Sequence, residues 1–256
     1  MSDSGMRFHA RPLTRCGPRG NSLTRVAAER GVTQSIRMKL TTAKLIRWAG
    51  LAAIAAGILF IVIQMIHPPD ILSSISTARW TIVHVLGVAM CLFAMLGITG
   101  IYATQVEKAG WLGLAGYLLF GLFWALTLCF QFLEAFVSPV LVTEAPRVVH
   151  GFLGIVNNAP SEVDLRALPM LNALTGFAGY VLGGLLFGVS TMRAGVLPRR
   201  AGGLLAFAAV SVLGAPLLSH PLDRLLAVPM GLSLAWLGIA LWSGRRESVP
   251  DLTAGR

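Results

Sequence analysis

The sequence predicts an all-α fold, an integral membrane bundle of about six transmembrane helices with both termini in the cytoplasm. Three observations carry this. Of 256 residues, 55% are hydrophobic and only 12% charged, whereas an ordinary soluble domain carries roughly 25% charged residues. Six segments reach or approach the roughly 20 apolar residues that cross a hydrocarbon layer about 30 Å thick. Lys and Arg, finally, fall mostly on one side of those segments, as the positive-inside rule requires.

The first element, residues 1–38, is polar, rich in Arg, Gly and Ser, and without hydrophobic periodicity. It reads as a disordered basic cytoplasmic tail. The alternative is a translation start at Met38, since Met38, Lys39, Lys44 and Arg47 form a short basic lead into an apolar stretch. That stretch is too long for a signal-peptide core and lacks an A-x-A cleavage site, so it is expected to be retained.

The six-helix domain is expected over 39–245, with spans at about 45–66, 80–104, 111–137, 169–191, 202–219 and 225–243. The last two are short and joined by the tight link Ser219-His220-Pro221-Leu222-Asp223-Arg224. Re-entrant segments would fit their length, but basic residues at their far ends favour full crossings. Trp80, Trp111 and Trp242 lie near span ends, as in an interfacial aromatic belt. Residues 138–168 form the one long connection, expected as a loop over the outer helix ends. Its mildly apolar piece, Val148 to Val156, suits the outer membrane surface. Residues 246–256 form a cytoplasmic C-terminal tail.

Orientation follows from the cations. With the N-terminus inside, the outer segments hold only Arg79, Arg147, Arg166 and Arg224 of the 21 Lys and Arg residues. Removing everything before Met38 leaves the bias in place. The net charge of +10 points to no nucleic-acid partner, because the cations flank apolar spans and build no separate basic domain. The bilayer is the expected partner. Cys16, Cys91 and Cys129 occur in no C-x-x-C arrangement, so neither a disulfide framework nor a zinc site is implied.

The third and fourth spans look alike, with Gly113/Gly176, Gly116/Gly179, Tyr117/Tyr180 and Gly121/Gly184 in matching places. An inverted repeat of the transporter kind is one explanation. Close helix approach in lipid through small residues is the simpler one. A three-plus-three repeat would also pair the first span with the fourth.

Polar residues gather at the outer ends. Gln64 precedes His67 by three residues and Gln131 precedes Glu134 by three, so each pair shares a helix face. His84 sits one turn into the second span at a similar depth. A carboxylate within a span costs up to about 2.5–3.5 kcal/mol at the bilayer centre, so Glu134 is expected to face the bundle or reach the outer surface. There it can share a proton with His84. The candidate ligand-binding or proton-handling set is therefore Gln64, His67, His84, Gln131 and Glu134. The plainest account makes these a wet outer rim. A metal or haem site would draw on His67, His84, His150 or His220, yet no H-x-x-x-H or H-E-x-x-H spacing supports one, and no cofactor is predicted. Pro216 and Pro229 in the last two spans fit either kinks that widen the outer end or static packing features, and the sequence does not choose between them.

No G-x-x-x-x-G-K-[ST] loop, G-x-S-x-G elbow or strand-borne G-x-G-x-x-G is present, which argues against nucleotide-driven or serine-hydrolase chemistry. Trp80-Thr-Ile-Val-His84, Leu96-Gly-Ile-Thr-Gly-Ile-Tyr102 and Arg193-Ala-Gly-Val-Leu-Pro-Arg199 resemble uncharacterised bacterial, actinobacterial-type multi-span membrane proteins over about 40–245. The resemblance implies a bacterial cytoplasmic membrane and carries over no activity and no functional residues. Three functional readings follow. The leading one is non-enzymatic binding or movement of a small or lipid-like ligand through an outward-facing pocket. The others are a membrane-embedded redox or metal enzyme, and an accessory subunit of a membrane protein partner.

Overall fold

Hydrophobic periodicity gives way here to length and small-residue placement as the organising signals. The computed structural model describes residues 41–157, 159–218 and 222–244. The tails read at 1–38 and 246–256, and His220, lie outside the described residues. Among those described, every regular element is helical.

Helix α1 spans Thr42–Ile66, capped by the Thr41 side chain accepting from the Lys44 N–H. A single turn, α2 (Leu72–Ile75), leads into α3 (Ala78–Phe132). At 1.5 Å per residue a straight helix of that length would run about 80 Å, and α3 is not straight. Gly110 has φ 59° and ψ −164°, a conformation that glycine alone adopts without strain. The chain reverses there. Tyr102 stacks on Tyr117 with ring centroids 4.7 Å apart, Gly87 lies against the Gln131 side chain, and His84 meets Glu134. These pairs step outward symmetrically from Gly110, so α3 is a helical hairpin with arms 78–109 and 111–132.

The second arm continues as a π-helical turn, Leu133–Val137, then α4 (Ser138–Glu144) and α5 (Pro146–Asn157). Next come α6 (Leu168–Leu174), a π-helical segment Thr175–Gly183 and α7 (Gly184–Ala194) as one rod. The rod α8 (Arg199–Ser211) tightens into 3-10 geometry over Val212–Leu217. A second 3-10 stretch, Leu222–Leu226, opens α9 (Ala227–Ser243). Five of these helical stretches are long and apolar enough to cross a membrane: Thr42–Ile66, Ala78–Glu144, Leu168–Ala194, Arg199–Leu217 and Leu222–Ser243.

The exposed faces are apolar. Ile58, Val62 and Met65 on α1, Leu92 and Leu96 on α3, and Leu232, Trp236 and Ile239 on α9 all point outward. Water would not tolerate so continuous an apolar surface; hydrocarbon does. Small residues fill the interior instead. On α1 and α9, Gly50 faces Gly238 and Gly57 faces Gly231 in antiparallel register. A Cβ on Gly50 would lie 2.8 Å from the Gly238 carbonyl oxygen, so only glycine lets the two backbones meet. The second arm of α3 meets the α6–α7 rod in the same way, through Gly113 on Ser190, Gly116 on Phe187 and Gly179 on Phe123. Of the glycines shared by the third and fourth spans, Gly113, Gly116 and Gly179 thus serve a direct contact between them, whereas Gly176 has nothing within 4 Å of a Cβ and Gly121 faces Ile98. The fold is that of an integral membrane protein.

The structure revises or resolves four readings of the sequence. Residues 138–157 are helical rather than loop, because Pro139 and Pro146 occupy first-turn positions, where the missing N–H costs nothing. The amphipathic α5 turns inward, burying Val149 and Leu153 with Ile75 and Trp80. Trp80, expected in the interfacial belt, is only 1% exposed, whereas Trp111 at the tip of the hairpin is 86% exposed. Pro216 sits in the 3-10 segment and Pro229 in the first turn of α9, so neither interrupts an α-helical interior.

Candidate functional site

At the end of the bundle opposite Gly110, α1, both arms of α3, α5, the α6–α7 rod and the start of the last rod enclose a cavity of about 700 Å³. Its walls are apolar, with Phe60, Ile63, Met90, Phe123 and Phe130 among them. Gln64, His67, Asp70, Gln131, Glu134, Asn157, Asn172, Asp223 and Arg224 supply its polar groups. Both π-helical segments touch it, through Leu133 and Glu134 in one and Thr175 and Gly176 in the other. Turns of this kind recur at functional sites.

The first π turn has a local cause. Proline has no N–H, and its ring crowds the carbonyl four residues back. Pro139 would therefore clash with Ala135 in a regular α-helix. Widening the turn pairs the Ser138 N–H with the Leu133 carbonyl. In that register the fifth residue after Glu134 is Pro139, which cannot donate. The Glu134 carbonyl is satisfied from outside the helix instead, by the Trp80 indole N–H at 2.9 Å.

Trp80 then positions the next group. Its carbonyl oxygen lies 2.8 Å from His84 Nδ1, and its ring lies against the imidazole at a tilt of 34°, with centroids 4.3 Å apart. A carbonyl only accepts, so Nδ1 carries a hydrogen. His84 Nε2 lies 2.7 Å from Glu134 Oε2. At that separation a proton must lie between the two atoms, giving either imidazolium with carboxylate or neutral imidazole with carboxylic acid. The pair as a whole holds one proton. His84 is buried, and the Glu134 side chain is 21% exposed.

His67, the residue that ends α1, stands with its ring centroid 5.2 Å from that of His84. Its Nδ1 donates to the Pro68 carbonyl at 2.7 Å. Burial pushes its pKa below the usual histidine value; the Pro68 carbonyl and Asp70 oppose this, while Arg224 and His84 add to it. Asp70 is held by its neighbours. Its carboxylate lies 3.4 Å from the Arg224 guanidinium and 3.8 Å from His67 Nδ1, and its carbonyl accepts from Asn157 Nδ2 at 2.9 Å. The Gln131 side chain fills the space left by Gly87, and its Oε1 is buried with no hydrogen-bond donor.

Comparison with protein-family models, curated proteins and solved structures returns no match.

Of the residues singled out from sequence, Gln64, His67, Gln131 and Glu134 line the cavity, and His84 is bonded to it through Glu134. His150 is exposed on α5 and does not line it; His220 lies outside the described residues. Among the described residues no group of three or more His, Cys, Asp and Glu side chains could hold a metal ion. Sequence reasoning missed Trp80 as a positioning residue, and missed Asp70, Asn157, Asn172 and Arg224. Asp70 follows Pro68 and Pro69 in a connection, where no helical spacing links it to a site. The signal for Trp80 was its four-residue spacing from His84. Chemically, the cavity can bury an apolar body and meet a polar head with carboxylates, amides and one guanidinium.

Proposed function

We propose that this protein spans a bacterial cytoplasmic membrane six times, with both termini inside. In this reading its outward-facing cavity binds a small or lipid-like amphipathic ligand. The membrane character rests on five long apolar stretches, and the hairpin at Gly110 makes two crossings of the second. Orientation rests on charge. Lys44, Arg47, Lys108, Arg193, Arg199 and Arg200 belong to the end away from the cavity, as cytoplasmic cations do.

The observation that carries the ligand reading is the cavity itself. Its volume of about 700 Å³ lies within the roughly 300–1,000 Å³ range of small-molecule sites. Apolar walls with a few converging polar groups are the usual composition of such sites. A buried glutamine oxygen lacking a donor, Gln131 Oε1, is costly in the empty state and is recovered by a ligand that donates to it.

The test is saturable binding of a neutral amphiphile, 4-phenylbutanol, to the protein in lipid nanodiscs, with empty nanodiscs subtracted. Binding is expected for the wild type and lost in Thr127→Trp, which fills the cavity from its wall. Binding unaffected by that substitution would overturn the assignment.

A further inference from the structure

We propose that the cavity selects an amphipathic organic cation and takes it up in exchange for the proton held between His84 and Glu134. This rests on the ligand-cavity reading above.

The charge at the cavity is opposite to that of the molecule. The chain carries a net +10, yet three carboxylates, Asp70, Glu134 and Asp223, line the cavity against one guanidinium, Arg224. Burial keeps His67 towards its neutral form. Its Nδ1–H is committed to Pro68, which leaves Nε2 as an acceptor. Gln131 Oε1 is a second buried acceptor, without a donor. Carboxylates thus outnumber cationic side chains at a cavity whose wall includes Phe60, Phe123 and Phe130. An ammonium group on an apolar body answers each of these features, by hydrogen bonds, by Coulomb attraction in a low-dielectric recess, and by contact with aromatic rings.

The proton follows from the geometry of the dyad. While Nε2 and Oε2 share it, the pair is neutral and Glu134 is turned toward His84. If the proton leaves, the Nε2 lone pair faces a carboxylate and the contact becomes repulsive, because Nδ1 keeps its hydrogen on Trp80. Glu134 then has its full charge available to the cavity. A neutral dyad plus a ligand cation becomes a carboxylate–cation pair, a neutral imidazole and one released proton, so charge balances. The ionisable groups facing the dyad are His67 and Asp70 beyond α1, and Asp223 and Arg224 before α9.

Calorimetry in nanodiscs with 4-phenylbutylammonium, 4-phenylbutanol and 4-phenylbutyrate tests this. Two buffers of different ionisation enthalpy report protons released. The ammonium is expected to bind about tenfold more tightly than the alcohol, a difference of about 1.4 kcal/mol, with the carboxylate weakest. About one proton should leave per ammonium bound, and affinity should rise with pH. Glu134→Gln, whose amide can still bond Nε2, should lose both the ammonium preference and the proton release. Equal binding of alcohol and ammonium would overturn the cation assignment while leaving the cavity as a ligand site. Binding of none of the three would overturn both. An unchanged ammonium preference in Glu134→Gln would remove the dyad from the exchange.

Discussion

The indole N–H of Trp80 donates to the backbone carbonyl of Glu134 at 2.9 Å, joining the two arms of α3 at the point where one of them changes its helical pitch. The bond answers a vacancy that Pro139 creates, and it fixes the height at which the Glu134 side chain meets His84.

Trp80→Phe keeps the ring and removes the donor. An orphaned buried carbonyl costs about 1–3 kcal/mol, so the thermal unfolding midpoint of the purified protein should fall by several degrees. An unchanged midpoint would mean that the Glu134 carbonyl finds another donor.

Gly50→Ala should destabilise the α1–α9 contact by about 1–3 kcal/mol, the range for forcing an added methyl into a filled interface. The new Cβ would lie 2.8 Å from backbone atoms of both Gly238 and Trp242, and backbone cannot rotate away. Gly176→Ala is the control. Nothing lies within 4 Å of a Cβ there, and its midpoint should match the wild type. Both variants can be compared by differential scanning fluorimetry in one detergent.

Stability should fall on mild acidification. Burial lowers the pKa of His67 below its ordinary 6.5, so the unfolded chain takes up this proton first as pH drops. The stabilisation is complete above about pH 6.5 and declines from there toward the lowered folded value. A His67→Gln variant should lack this leg of the midpoint-against-pH curve between about pH 7 and pH 5. A wild-type midpoint that rises as the pH is lowered from about 7 to about 5 would contradict the assigned direction.

Topology is open to direct reporting. Alkaline phosphatase fused after residue 150 should be active, and fused after residue 109 or 197 inactive, with a cytoplasmic reporter giving the reverse pattern. Activity at 197 would invert the orientation and place the cavity in the cytosol.

The spans were legible because hydropathy and length are local properties, and α1 matches its expected bounds within a few residues at each end. The helical character of 138–157 was not, because prolines at 139 and 146 interrupt the segment in sequence although each stands where a helix begins. The spacing of Gln64 with His67 and of Gln131 with Glu134 gave two polar faces. What spacing could not give was their convergence, which needs the packing of α1 on α3 and the register of the hairpin. That register had a signal in the sequence. His84 and Glu134 are nearly equidistant from Gly110, so a turn of one residue brings them level. Asp70 and Arg224 were hidden for a different reason: they pair across 154 residues from connections without periodicity, and only the closed bundle brings them together.

The turn at Gly110 also restricts how the molecule can move. A long linker would let two neighbouring rods slide past one another like pistons, whereas a one-residue reversal allows no such slippage. The arms of α3 are pinned at the tip like the blades of tweezers, and at the far end the Trp80–Glu134 and His84–Glu134 bonds hold them together. A small change of angle at the tip is magnified over the length of each blade, and the blades end at Trp80, His84 and Glu134. Under the proposed ligand reading, opening the cavity by spreading the arms should therefore break those two bonds and turn on one glycine, without rearranging the whole bundle.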